Sequence, residues 1–248
     1  MNASRTSKLI STIQICVSSL LTAFIVIGLY QNWNGGIGTM LADIFPELAI
    51  ILGTLIPVLV LRIKHRSQVA EGYLLPLFLL FLSLQTIRIL PSLTSWAGGG
   101  FLSYSRITML ERFFFMSTYV VLLYAAILNM KSMNTVKTGT YVIFSLIAVF
   151  VISCIIPTPS SSDQYNKHEL IFSLLVMMVL ICAVSTYLVS FISDRESYHM
   201  KRFLTFLLLS AGDFLIVTLE GNLTGSIIGT CLFVIGAVML SVVSPKGY

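Results

Sequence analysis

Charge is what this chain has least of. Asp, Glu, Lys and Arg make up 10% of its 248 residues, against about 25% in ordinary soluble domains. That is too little solvating surface for a water-soluble fold. No lysine falls within an apolar stretch, which excludes a rhodopsin-type Schiff base, since that bond needs a buried amine. The three histidines, His65, His168 and His199, all sit in polar links, and HExxH does not occur, so neither an intramembrane zinc protease nor any other metal site is expected. GxSxG elbows and GxxxxGK[ST] loops are missing too, and nothing implies a cofactor. Cys16, Cys154, Cys182 and Cys231 lie in apolar stretches without CxxC spacing; small packing residues buried between helices are expected there, rather than disulfides or metal ligands.

Long apolar runs fill the space that charge leaves. A bilayer crossing needs about 20 predominantly apolar residues, and the sequence offers such runs at about 9–30, 40–61, 72–92, 106–129, 139–157, 170–192, 203–220 and 225–243. The expectation is an all-α, polytopic integral membrane protein, a single bundle of eight transmembrane helices with no soluble domain. The first run is too long for a signal-peptide core and no small-x-small site follows it, so it reads as a retained span. Gly221, Asn222 and Gly225 argue for a turn between the last two runs rather than one merged crossing.

Of the 15 basic residues, 11 fall at the N- and C-termini and in alternate links, around Arg62–Lys64–Arg66, Lys131–Lys137 and Arg195–Lys201–Arg202. This bias places those links and both termini in the cytoplasm, most naturally at the plasma membrane. The net charge of +5 is thereby explained by orientation and by anionic headgroups, with no nucleic acid as partner.

Against this background the charges inside the spans stand out. Asp43 and Glu47 share a face of span two by i, i+4 spacing, and Gln85 and Arg88 share one of span three by i, i+3. Glu111 lies a little over one turn into span four with Arg112 beside it, and Asp213 lies deepest, in span seven. All belong to the outer half of the predicted bilayer. With Arg106 and Glu220 at the rim, the layer holds five acids and three bases, an excess of negative charge that favours a cation. Ionisable groups at this depth are costly, so they mark ligand sites or interhelical ion pairs.

Asp43, Glu47, Gln85, Arg88, Glu111, Arg112 and Asp213 are accordingly the expected ligand-binding set, for a small polar or cationic ligand arriving from outside, as in a receptor, sensor or transporter. Two further readings remain open: an accessory membrane subunit without a ligand, and an intramembrane hydrolase or transferase acting on a lipid. In the latter, Asp213 with Glu111 or Asp43 would divide acid and base roles. Any output to the cytoplasm is expected to pass through a partner at 194–202. Pro46, Pro57 and Pro91 could break the helices that carry the charges. Gly225, Gly229 and Gly236 mark a helix-contact face, and Tyr119, Tyr124 and Phe113–Phe115 read as packing residues.

Ser210-Ala211-Gly212-Asp213 resembles the Gly-Asp end of the GxGD motif of intramembrane aspartyl proteases. Ser210 replaces its first glycine, and a second aspartate in a Tyr-Asp setting is missing. The longer Ser-Ala-Gly-Asp-Phe-Leu stretch also resembles a segment of the eight-span lysoplasmalogenase family, whose early Lys-Pro motif this chain lacks. Neither match extends beyond about ten residues, so no family activity is carried over.

Overall fold

A computed structural model describes residues 3–31, 37–63, 73–90, 103–130, 135–157, 170–194, 197–219 and 222–242. These form α1 (Ala3–Gln31), α2 (Ile37–Ile63), α3 (Leu74–Leu84) with a 3-10 continuation at Gln85–Ile89, α4 (Tyr104–Met130), α5 (Thr135–Ile155), α6 (Leu170–Asp194), α7 (Ser197–Thr218) and α8 (Leu223–Val242). No strand occurs among the described residues. Among the described residues, five stretches are long and apolar enough to cross a bilayer: Thr6–Gly28, Ser105–Leu128, Thr138–Ile155, Ile171–Ser193 and Leu223–Val242; Ile44–Val60 and Leu74–Ile89 are shorter apolar segments.

Side-chain contacts fix the directions of the helices. Phe115 lies 6.2 Å from Phe214 while Tyr119 reaches back to Ser210, so α4 and α7 run antiparallel. Phe78 meets Phe206 and Gln85 meets Asp213, so α3 and α7 run parallel. Phe113 contacts Phe150 and the Tyr124 hydroxyl bonds that of Ser145 at 2.8 Å, an antiparallel match of α4 and α5. Helices α2, α3, α4, α6, α7 and α8 contact one another in that order and close a ring, with α1 against α2 and α3, and α5 against α4.

The close seam is α7–α8. A methyl group on Gly212 would sit 2.7 Å from the carbonyl oxygen of Gly229 and clash with the backbone of Phe233, and one on Gly236 would lie 2.7 Å from the Leu209 nitrogen. Only glycine admits backbones this near, so the helix-contact face read at Gly229 and Gly236 acquires Gly212 as its counterpart. The turn into α8 is capped: the Asn222 side-chain oxygen accepts from the Thr224 nitrogen at 3.2 Å, satisfying a helix-start donor. The last two apolar runs are thus separate helices.

Two expectations change. The four cysteines are exposed on the molecule's outer surface rather than buried between helices. They share that surface with Phe24, Phe144, Met178 and Val189, an exterior that suits hydrocarbon and not water. The prolines of α2 do not break it, since the helix continues through Pro46 and Pro57. The irregularity lies instead in α3, where α geometry tightens to 3-10 at Gln85. Hydroxyls loosen the ladder there: Ser83 donates to the carbonyls of Leu79 and Leu80, and Thr86 donates to that of Ser83 at 2.7 Å. Pro91 offers no N–H to the carbonyl of Ile87, which also discourages α geometry before it.

A buried polar centre between four helices

The 3-10 segment positions the centre. With three residues per turn, positions i and i+3 eclipse, so Gln85 and Arg88 project together from one side of α3. Gln85 is 1% exposed and donates through Nε2 to Oδ1 of Asp213 on α7, itself fully buried. Arg88 turns to α2, where its Nε donates to Oε1 of Glu47 at 2.6 Å and its Nη2 completes the ion pair. One turn of α3 thus gathers two carboxylates, Glu47 through Arg88 and Asp213 through Gln85.

Helix α4 supplies the fourth wall through Tyr119. Its hydroxyl donates to Oδ2 of Asp213 at 2.7 Å and lies 3.3 Å from the Ser210 carbonyl oxygen. Side chains lean toward the N-terminus of their helix, and in antiparallel α4 and α7 this makes Tyr119 and Asp213 lean toward one another. Both carboxylate oxygens are therefore held by neutral donors, in a setting where water competes little and each bond counts for more. Phe115 packs on Tyr119 at 5.3 Å and fixes its ring. Gly212 and Asp213 divide the work of their motif: the glycine admits α8, and the aspartate faces α3 and α4.

The expected set divides into two levels. Glu47, Gln85, Arg88 and Asp213 come together, whereas Arg112 serves the end of α5. Its Nη1 donates to the carbonyl oxygens of Ile156 at 3.2 Å and Pro157 at 2.7 Å, and its guanidinium lies 5.7 Å from the Phe172 ring centre. It thereby satisfies carbonyls left over at a helix terminus and ties α4 to α5 and α6. Glu111 is buried beside it, about 12 Å along α4 from Tyr119 at 1.5 Å per residue. Asp213 takes its hydrogen bonds from Gln85 and Tyr119, and no carboxylate is among its partners within the described residues. Of the two pairings open to a lipid hydrolase, Asp213 with Glu111 is not among these bonds, and Asp213 with Asp43 falls outside the described residues. The side chains of Asp43 and Asp194, and residues 195–196 and 220, lie outside the described residues.

Tyr119 is the member that sequence reasoning assigned to packing. A signal existed: a phenol mid-span in hydrocarbon needs a hydrogen-bond partner, and Tyr119 falls two turns beyond Arg112 on the same face. Missed as well was a polar patch on α1, where Gln14 and Ser18 are fully buried and the Gln14 amide reaches the Thr54 carbonyl at 3.4 Å. Within the described residues no group of three or more His, Cys, Asp or Glu is placed to hold a metal. At 194–202, Arg202 is buried against Tyr198 while Lys201 is exposed, so of these two residues only the lysine is presented to a partner.

Comparison of the chain with protein-family models, with curated proteins and with solved structures gave no match.

Proposed function

We propose that the chain is a plasma-membrane, multi-pass protein of eight crossings with cytoplasmic termini, and that its polar centre receives a small cationic or polar ligand from the outside. The observation that carries this reading is Asp213, a fully buried carboxyl group held between helices by two neutral donors, Gln85 and Tyr119, beside the Glu47–Arg88 ion pair. Interhelical glue is most economical when charges cancel, because a net buried charge is costly. A ligand ammonium or a monovalent cation would cancel the charge of an ionised Asp213. The Gln85 Oε1 atom supports the same reading, because it is buried and accepts no hydrogen bond. It adds a neutral oxygen beside the carboxylate, of the kind hard cations take.

Sensing fits better than transport. Transport requires a polar route continuing inward, and the interior on the other side of the centre is an aromatic block in which Phe206 stacks on Tyr187 and meets Phe78 edge-on. A sensor of this build passes its signal to a separate membrane or cytoplasmic protein, since its links are short.

The test is a thermal-unfolding screen of the purified protein with sodium, potassium, calcium and choline, beside Asp213→Asn, Glu47→Gln and Gln85→Leu. One cation should raise the midpoint of the wild type, with a graded loss of apparent affinity in all three variants at normal detergent-stable yield. The reading fails if no cation shifts the wild type, or if the variants respond unchanged.

A further inference from the structure

Asp213 is fully buried and makes no ion pair among the described residues; its two oxygens are held by the neutral donors Gln85 and Tyr119. From α3 the only charged neighbour is Arg88, which is engaged with Glu47 of α2. From α4 comes Tyr119, with Glu111 and Arg112 two turns away on that helix. Helix α8 brings Gly229 and Phe233 against Gly212, and its Cys231 is exposed on the outer surface. On α6, Cys182 is likewise exposed, and Tyr187 stacks on Phe206, about 10 Å below Asp213 along α7. Arg202 of α7 itself lies a further turn down. The side chain of Asp43 is outside the described residues.

One of the two donors has a choice of acceptor. The Tyr119 hydroxyl lies 2.7 Å from Oδ2 of Asp213 and 3.3 Å from the carbonyl oxygen of Ser210 on the same helix. A phenol donates and accepts at once. With Asp213 ionised, Tyr119 donates to Oδ2. With a proton on Oδ2, the carboxyl group donates to the Tyr119 oxygen, and the phenolic hydrogen turns to the Ser210 carbonyl. Gln85 donates to Oδ1 in either case. The network is therefore complete in both charge states, by rotation of a single O–H bond. A lone buried charge is costly, and a proton is the one cation that needs no cavity to cancel it.

We infer that Asp213 takes up a proton from the external side, held as Oδ2–H on Tyr119, and that a bound cation displaces it. The second half rests on the cation reading above; the first does not. On exchange the Oδ2–H bond breaks, the proton leaves to external water, and Tyr119 turns back to Oδ2. One positive charge enters as one departs, so the charge of the centre is conserved. External acid thereby closes the site to other cations.

The test follows the carboxyl group itself. Infrared difference spectra of the purified protein are recorded across a pH titration in N-methylglucamine buffer, for wild type, Asp213→Asn, Gln85→Leu and Tyr119→Phe. The wild type should show a carboxylic-acid C=O band that vanishes as pH rises and is missing from Asp213→Asn. Gln85→Leu should retain the band to higher pH, because the lost amide donor serves the ionised form most. Tyr119→Phe should move the band to higher frequency, since the acid has lost its acceptor. The unfolding screen with sodium, potassium, calcium and choline is then repeated at several pH values. Below the titration, the apparent affinity of the cation that binds should fall about tenfold per pH unit, as one-for-one exchange requires. The inference is overturned if no pH-dependent band depends on Asp213, if Tyr119→Phe leaves that band unmoved, or if cation affinity is independent of pH. A band that behaves as expected while no cation shifts the midpoint at any pH supports the proton site and sinks the cation reading alone. Should Asp213→Asn fail to fold, the displacements in Gln85→Leu and Tyr119→Phe assign the band.

Discussion

Glu47 and Asp213 solve the same problem by different means. Glu47 is neutralised directly by Arg88, whereas Asp213 is held by two neutral donors and feels Arg88 from further off. The consequences of substitution should differ accordingly. Removing one partner of a buried ion pair leaves an uncompensated charge and costs about 3–5 kcal/mol, while replacing both by apolar groups is often near neutral. Arg88→Met should therefore cause a large loss of thermal stability and yield, and Glu47→Leu combined with Arg88→Met should recover most of it. A double variant as unstable as the single one would show that Arg88 acts chiefly on Asp213. Tyr119→Phe removes one donor and preserves the ring against Phe115, so it should destabilise by about 1–3 kcal/mol, measured by chemical or thermal unfolding in detergent. The charged members of this group were legible in the sequence, because a carboxylate among aliphatic residues attracts notice at once. Tyr119 was not, because a tyrosine belongs equally well to an aromatic core and only its partner reveals its role.

At the level of elements, the irregular backbone fell elsewhere than the prolines of α2 suggested. Proline inside a helix forfeits one hydrogen bond and crowds one carbonyl, and α2 absorbs both losses within packed surroundings. In α3 the hydroxyls of Ser83 and Thr86 turn onto main-chain carbonyls, and the 3-10 segment that follows carries Gln85 and Arg88. Nothing in the i, i+3 spacing distinguished an α-helical from a 3-10 arrangement, yet the second aligns the two side chains more closely. The glycine face of α8 was readable from its spacing; the opposing Gly212 was hidden, since it lay in a motif that attracted attention for its aspartate. Gly212→Val would drive a branched side chain into the Phe233 backbone, and main chain yields less readily than side chain. It should cost more than the 1–3 kcal/mol or so typical of core overpacking and separate α7 from α8, read as loss of monodisperse protein on size exclusion. Gly139→Ala, whose added methyl meets only the end of the Tyr73 side chain at 3.1 Å, should be tolerated in the same assay.

For the molecule as a whole, apolar composition made a membrane bundle legible from the start, since no other environment suits a surface bearing Phe144, Ile171 and Met178. Which way the bundle sits depends on a weaker signal, the distribution of lysine and arginine among short links. The structure bears on this only through direction: α4 runs antiparallel to α5 and α7, and a tight turn at Asn222 joins α7 to α8. Cysteine labelling of intact cells tests the orientation directly. The native cysteines are exposed on the apolar exterior, so in a bilayer they face acyl chains, out of reach of an aqueous maleimide. Wild-type protein should accordingly remain unlabelled until the membrane is dissolved. On that silent background, Thr224→Cys, in the exposed start of α8, should react with a membrane-impermeant maleimide added outside. Arg62→Cys, exposed at the far end of α2, should react only after permeabilisation. An external Arg62→Cys would invert the bundle and turn the Asp213 centre toward the cytoplasm. Labelling of both positions from one side would instead mean that the helices between them make an even number of crossings, which eight alternating spans do not allow.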